Sequence, residues 1–243
     1  MRCSERMSQK ILVVIPSRYR SERLPGKPLK VLAGRSLWEW AYRAAVRAGV
    51  GRVVVATEDA RIARDVRRKG AEVLLTSPRH PSGSDRVWEV SRRMRADIVV
   101  NLQGDEPLMN PRTIRKTVSL LLKNSEVLMG TAAAPLESES ERNNPHVVKV
   151  VLDKNGRALY FSRSPLPTSW KHLGIYAYRS GFLSKFHRLP VGFLEKQEKL
   201  EQLRALENGF PVWVARVNQK SCGVDTPEDL RIAEGLLLRH RYA

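Results

Sequence analysis

The chain of 243 residues carries 43 Lys and Arg against 25 Asp and Glu, a formal net charge of +18, and 42% of its residues are apolar. This composition supports a substantial core, and no apolar run approaches the roughly 18 residues of a membrane span, so we expect no membrane insertion. Two cysteines, Cys3 and Cys222, are too few for a disulfide framework and favour a cytoplasmic protein. Residues 1–10 lack the apolar core of a signal peptide and are expected to form a disordered tail.

The excess of positive charge raises the alternative of a basic nucleic-acid-binding protein. Much of the charge falls on the expected solvent faces of helices, at Arg61, Arg64, Arg67, Arg68 and Lys69 and at Arg92, Arg93 and Arg95. Only 7% of the residues are aromatic, and neither a helix-turn-helix nor an aromatic RNA-binding motif is present. We therefore expect no nucleic-acid partner, and we expect an anionic substrate instead.

The first predicted element is a strand over residues 11–16, because "ILVVI" is a continuous aliphatic run typical of a strand covered on both faces. The loop that follows, within "IPSRYRSERLPGKPL", places Arg18, Arg20, Arg23 and Lys27 at the carboxyl end of that strand, where open α/β sheets bind ligands. The loop is no P-loop, because the first glycine and the final hydroxyl of that motif are absent. Four cations around a glycine can still hold a polyphosphate.

Alternating helices and strands follow. We predict a helix at 37–48 that begins with a capping box of Ser36 and Glu39, and further elements in the order strand 52–56, helix 59–69, strand 72–75, helix 85–94 and strand 97–101. The alternation indicates a mostly parallel, doubly wound sheet.

The second half of the chain is less regular. Strands are predicted at 126–135, 146–152 and 171–178, a hairpin strand at 158–161, helices at 180–187 and 197–207, a strand at 211–217 and a helix from 227. We predict one domain over 11–243, with an inserted antiparallel patch around 140–190.

Two further loops carry candidate chemistry. The segment "HPSGSDR", residues 80–86, suits recognition of a nucleobase, or it is merely a turn with Ser84 as the N-cap of the next helix. Asp105 in "NLQGDEP" follows a buried strand, and Asp225 in "GVDTPEDL" precedes a helix cap formed by Thr226. Such carboxylates suit a divalent metal that also binds phosphate.

Seven segments in one order resemble the CMP-KDO synthetases, the 3-deoxy-manno-octulosonate cytidylyltransferases. They are "IPSRYRSERLPGKPL", "HPSGSDR", "NLQGDEP", "VKVVLDKNGRALYFSRSPLP", "KHLGIYAYR", "LEKQEKLEQLRALENG" and "GVDTPEDL". The resemblance implies a nucleotidyltransferase-like (Rossmann-like) fold, with a mostly parallel mixed sheet flanked by helices. It also implies a cytoplasmic, magnesium-dependent homodimer that makes CMP-KDO and pyrophosphate from CTP and KDO, for lipopolysaccharide biosynthesis.

The resemblance also assigns residues. Arg18 and Lys27 match the grip on the CTP phosphates, and the nucleobase-side loop is matched by Pro81, Ser82, Gly83 and Arg86. The sugar site is matched by Gln103, Arg163, His172, Glu201 and Gln202. Asp105 and Asp225 match the magnesium ligands and, with Arg18 and Lys27, the catalytic set.

The identity of the sugar is left open by the sequence. The stretch from Arg163 to His172 is shorter than the loop that the family usually has beside the sugar. A cytidylyltransferase for another acid sugar, such as 8-amino-KDO or a sialic-type acid, therefore stands as the alternative within this class.

Overall fold

A computed structural model describes residues 9–21 and 23–240, so residues 1–8 of the tail expected at residues 1–10 lie outside them. Lys10 is described, and its N–H donates to Asp97 Oδ2 at 2.7 Å. The strands are β1 (Ile11–Pro16), β2 (Val31–Leu32), β3 (Arg35–Ser36), β4 (Arg52–Thr57), β5 (Val73–Leu75), β6 (Ile98–Leu102), β7 (Met129–Ala134), β8 (Lys149–Leu152), β9 (Ala158–Ser162), β10 (Trp170–Arg179) and β11 (Val212–Arg216). The helices are α1 (Leu37–Ala48), α2 (Ala60–Arg68), α3 (Gly83–Arg93), α4 (Pro111–Lys123), α5 (Glu139–Asn143), α6 (Ser180–Arg188), α7 (Phe193–Glu198), α8 (Leu203–Glu207) and α9 (Pro227–His240).

The central sheet has the strand order β11-β7-β10-β6-β1-β4-β5. β1 pairs in parallel with β4 and β6, and β11 pairs in parallel with β7. β10 runs antiparallel to both of its neighbours, β6 and β7, and it also pairs with β8 of the β8–β9 hairpin. The expected mostly parallel, mixed sheet flanked by helices is therefore confirmed. Of the antiparallel strands expected around 140–190, β10 lies inside the central sheet.

Helices cover both faces of this sheet. One layer is formed by α1, α2 and α4, whose apolar faces pack on side chains such as Val13, Val55 and Val100. The opposite layer includes α3, α6 and α8, over Val14, Val99 and other residues of the second face. The continuous aliphatic runs of β1 and β6 follow from this double coverage. No helix in the described ranges combines the length and apolarity required to cross a membrane.

Several details differ from the sequence prediction. Two helices, α4 and α5, and the short strands β2 and β3 were not predicted. The helix expected at 197–207 is two helices, α7 and α8, because Lys199 between them adopts a left-handed conformation with φ of 55°. Ser36 is the N-cap of α1, but its side chain makes no capping bond and instead donates to Asp65 at 3.0 Å.

Candidate active site

The candidate site lies at one edge of the sheet. β1, β6 and β11 run in the same direction, so the loops after their carboxyl ends meet at this edge. β10 runs the opposite way and begins there, which brings His172 and Gly174 beside Gln103, whose backbone N–H donates to the Gly174 carbonyl at 2.9 Å. Segments far apart in the sequence thus form one site.

The cationic loop after β1 is folded back on itself. Gly26 adopts φ of 67°, and its N–H donates to the Tyr19 carbonyl at 3.1 Å. Tyr19 is fixed in turn, because its N–H donates to Glu58 at 3.1 Å and the Arg61 guanidinium lies 3.4 Å from its ring centre. A side chain at position 26 would sit 3.3 Å from the Tyr19 ring, so the turn requires glycine. The turn places Lys27 at the start of a short 3₁₀ helix, Lys27–Leu29.

Lys27 lies between the two aspartates. Its Nζ donates to Asp105 Oδ2 at 2.6 Å, to Asp225 Oδ1 at 3.0 Å and to the Val224 carbonyl at 3.1 Å. Burial alone would lower the pKa of Lys27, but the two carboxylates outweigh burial and raise it. Because both oxygens contact one nitrogen, they are at most about 6 Å apart. Asp105 and Asp225, 120 positions apart in the sequence, therefore share one cation.

Asp225 receives a second cation from the same loop. Arg23 Nη2 donates to Asp225 Oδ2 at 2.9 Å. Burial would raise the pKa of Asp225, but Lys27 and Arg23 lower it below its usual value. Asp225 is thus ionised at neutral pH and presents a fixed negative charge beside the cationic loop.

Two cavities meet at the aspartates. The first, of about 820 Å³, is lined by the loop after β1, including Arg18, Arg20, Arg23 and Lys27. The second, of about 650 Å³, lies against β10 and the loop before α9. Gln103, Asp105 and Asp225 line both. The arrangement suits two ligands, of which the first is an anion, held on either side of one pair of carboxylates.

The loop at 80–86 borders the first cavity only in part. Gly83 lines it, and the Pro81 carbonyl accepts from Arg18 Nη1 at 3.3 Å. Ser82, not Ser84, is the N-cap of α3 and accepts from the Asp85 N–H at 3.1 Å. The expectation that Ser84 caps this helix is wrong, because α3 begins two residues earlier.

Arg86, expected to contact the nucleotide, points away from the first cavity. Its side chain is 1% exposed and pairs with Glu58 at 2.7 Å and with the Thr76 hydroxyl. Glu58 also accepts from the Tyr19 N–H. In the structure Arg86 therefore supports the cationic loop from behind.

A chain of hydrogen bonds runs from the shared wall to Glu201. Gln103 Nε2 donates to Asn101 Oδ1 at 3.2 Å, and Asn101 Nδ2 donates to Ser84 Oγ at 3.4 Å. Ser84 Oγ in turn donates to Glu201 Oε2 at 2.5 Å. Of the predicted sugar-binding residues, Glu201 lies behind this chain and is not among the residues lining the two cavities. Glu201 is therefore linked to Gln103 only through Ser84 and Asn101.

His172 lines the second cavity in a defined tautomer. The Thr131 hydroxyl donates to the Ile175 carbonyl at 2.7 Å, so it must accept from His172 Nε2, which lies 2.9 Å away. Burial lowers the pKa of His172 to about 3, which keeps the ring neutral. The neutral ring has its proton on Nε2, and its Nδ1 lone pair remains available to accept a hydrogen bond.

Arg163 and Gln202 also line the second cavity. Arg163 is held by the Glu198 and Pro145 carbonyls, each at 3.1 Å. Gln202 is 3% exposed and accepts from the Tyr176 hydroxyl at 3.1 Å, while its Nε2 has no partner among the described residues. A buried amide donor without a partner is costly, so this group is suited to a polar ligand.

Among the charged residues that line the second cavity and were not predicted from the sequence, Glu106 and Lys171 are buried. Glu106 accepts from the Gly174 N–H at 3.1 Å and from Ser221 Oγ at 3.0 Å, and burial together with the charge of Asp105 raises its pKa to about 7. Lys171 donates to Glu141 at 2.6 Å and is 5% exposed. The alternation of side chains along β10 could have identified Lys171 as buried, because Lys171 lies on the same face of the strand as Leu173 and Ile175.

The pKa of His172 has a measurable consequence. Between pH 6.5 and pH 3 the unfolded chain binds a proton at this residue and the folded chain does not, so acidification lowers the free energy of unfolding. In His172→Gln this contribution is expected to be absent, while the amide can still donate to Thr131. Urea unfolding at several pH values in this range measures the difference between the two proteins. Glu106 has a raised pKa, which changes the free energy of unfolding in the opposite direction, but it is present in both proteins. Parallel profiles of unfolding free energy against pH would contradict the expectation.

Comparison with known proteins adds an independent finding. A family model described as cytidylyltransferase matches residues 12–220. A 3-deoxy-manno-octulosonate cytidylyltransferase of Syntrophobacter fumaroxidans is 50% identical over 91% of this chain and 94% of the relative, and one of Trichlorobacter lovleyi is 44% identical over 92% and 97%. A solved structure of CMP:2-keto-3-deoxy-manno-octonic acid synthetase complexed with CTP superposes with a TM-score of 0.89, at 38% identity, over 95% of this chain and 99% of that one.

Proposed function

This chain belongs to the cytidylyltransferase family, and we propose that it transfers the CMP unit of CTP to 3-deoxy-manno-octulosonate (KDO), releasing pyrophosphate. The observation that carries the proposal is the convergence of Lys27, Asp105 and Asp225 on the wall between two cavities. The CMP-KDO formed would serve lipopolysaccharide biosynthesis.

The two cavities hold the two substrates in this proposal. The triphosphate of CTP lies in the first, with Arg18 and Lys27 donating to phosphate oxygens, and the base lies beside Gly83. KDO lies in the second, where Arg163 faces the carboxylate of the sugar acid and where His172 Nδ1 and the free Gln202 amide contact its hydroxyls.

The reaction occurs where the cavities meet. The C2 hydroxyl oxygen of KDO forms a bond to the α-phosphorus while the bond to the bridging oxygen breaks, so pyrophosphate leaves with the electron pair and the hydroxyl proton passes to water. Such a step depends on positioning and on neutralising phosphate charge. Lys27 and Arg18 supply that charge on the side of the leaving pyrophosphate.

We also propose that Asp105 and Asp225 hold Mg²⁺. Their oxygens are the hard ligands that Mg²⁺ prefers, and Mg²⁺ takes one or two carboxylates with substrate phosphates and water. Within the described residues no three His, Cys, Asp or Glu side chains form a group that could hold a metal ion. When bound, the ion would neutralise the α-phosphate and acidify the sugar hydroxyl.

Pyrophosphate release with CTP, ATP, GTP or UTP and a panel of acid sugars tests the function. CTP with KDO is expected to give the highest kcat/KM, with 8-amino-KDO and a sialic-type acid as the competing sugars. Equal turnover of all four nucleotides would contradict the assignment of the first cavity. Faster turnover of another acid sugar would identify that sugar as the substrate. Absence of pyrophosphate release with every sugar acid would contradict the assignment as a cytidylyltransferase.

A homodimer is part of the proposal, because the resemblance to the family implies it. Segment 140–190 is the expected contributor to the interface, and light scattering at micromolar concentration measures the mass.

A further inference from the structure

The positive charge of this chain is concentrated on one helical layer. The helices α1, α2 and α4 carry ten Lys and Arg residues against two acidic residues, Glu39 and Asp65. On the opposite side of the sheet α3, α6, α7 and α8 carry seven against five. The first layer, which we call the basic layer, therefore accounts for a net +8 of the chain's +18.

Most of these cations have no carboxylate partner among the described residues. Three of the ten pair with carboxylates, namely Arg43, Arg61 and Arg68. The other seven are exposed and have no carboxylate within 4.0 Å among the described residues: Arg47, Arg64, Arg67, Arg112, Arg115, Lys116 and Lys123. None of the seven lines either cavity, so substrate binding does not explain them.

The three helices form one continuous surface. α1 contacts α4 through Arg115 Nη1, which donates to the Arg47 and Ala48 carbonyls at 3.2 Å each. It contacts α2 through Trp38 Nε1, which donates to Asp65 at 2.9 Å. The side chains that face the sheet are buried, so the outer faces lie side by side as one broad charged face.

We propose that the basic layer binds the anionic phospholipid headgroups of a membrane surface. Headgroup phosphates attract clustered Lys and Arg side chains and would supply the counter-charges that this surface lacks. Two exposed aliphatic side chains lie on the same helices as the cations, Val46 at 52% and Leu122 at 51% exposure. Aliphatic groups of this kind can insert at the boundary between lipid headgroups and acyl chains.

The same surface is poorly suited to nucleic acid. Its aromatic side chains, Trp38, Trp40 and Tyr42, are buried or half-buried, so none is available to stack on bases. The helices lie flat on the sheet, and none projects as a recognition helix would. The two cavities are lined by none of the seven cations that lack a carboxylate partner in the described part of the chain, so the proposed membrane surface and the substrate sites use different cations.

Sedimentation with vesicles tests the proposal. The wild-type protein is expected to bind vesicles of phosphatidylcholine with phosphatidylglycerol, not vesicles of phosphatidylcholine alone, and to be released by about 0.5 M salt. The variant R47E/R67E/K116E reverses one exposed cation on each helix of the basic layer and is expected to bind at least about tenfold more weakly. The matched control R92E/R95E/K196E makes the same change in net charge at exposed residues in or directly after helices of the opposite side, outside both cavities and outside segment 140–190.

The control variant distinguishes vesicle binding by the basic layer from vesicle binding that depends only on the net charge of the protein. Retained binding in R92E/R95E/K196E, with pyrophosphate release unchanged in both variants, supports the proposal. Equal loss in the two variants, or absence of binding to anionic vesicles at low salt, overturns it. Binding of a labelled DNA duplex is measured in parallel by fluorescence anisotropy. If the protein binds DNA more tightly than vesicles, and R47E/R67E/K116E loses that binding, the basic layer is a nucleic-acid surface instead.

Discussion

Replacement of Asp105 or Asp225 by Asn is expected to lower turnover of CTP with KDO by about 10²–10³-fold, the loss typical when one electrostatic contact to a transition state is removed. Each substitution keeps the shape of the side chain and removes one of the two negative charges that meet at Lys27. It also removes one proposed ligand, so the concentration of Mg²⁺ that gives half-maximal rate should rise. Pyrophosphate release across a magnesium titration measures both effects.

Glu228→Gln is the matched control for the aspartate variants. Glu228 lies three residues after Asp225, its side chain is 61% exposed, and it pairs with Arg231 rather than with Lys27. Its loss should leave both turnover and magnesium dependence unchanged. Wild-type turnover in either aspartate variant would rule out the shared-metal proposal.

The buried parallel strands and the edge of the sheet that carries the site could be predicted from short patterns. "ILVVI" and "DIVVN" contain aliphatic runs typical of a strand covered on both faces, and β1 and β6 are adjacent and parallel in the structure. Because ligand sites follow the carboxyl ends of such strands, the loops holding Lys27 and Asp105 were expected near one another.

Contacts between distant loops could not be predicted from local patterns. Lys27 bonds to residues 78 and 198 positions away, and nothing in its own loop specifies that its ammonium lies between two carboxylates. Arg86 was assigned by its position after "HPSGSD", yet the first turn of α3 directs it to Glu58 beneath the loop. The split between α7 and α8 depends on a left-handed Lys199, a conformation that the residue type does not predict.

Replacement of Lys27 by Met is expected to reduce turnover by orders of magnitude, because the lysine is the partly buried donor at the point where the cavities meet. Without ligands or metal the change also leaves Asp105 and Asp225 facing one another, with Arg23 as the remaining cation on Asp225. An uncompensated charge in a partly buried site costs about 1–3 kcal/mol, so the free energy of unfolding should fall. The pKa of Asp225, which Lys27 helps to lower, should rise.

Mg²⁺ should reverse part of that loss, because the ion can take the place of the ammonium between the two carboxylates. Its addition is therefore expected to raise the melting temperature of Lys27→Met by more than that of the wild type, where the lysine competes for the same oxygens. Lys30→Met is the matched control, since Lys30 is exposed at the end of the same 3₁₀ helix and contacts neither aspartate. Equal stabilisation of the wild type and Lys27→Met would place the ion elsewhere, and retained turnover in Lys27→Met would remove the loop from the catalytic machinery.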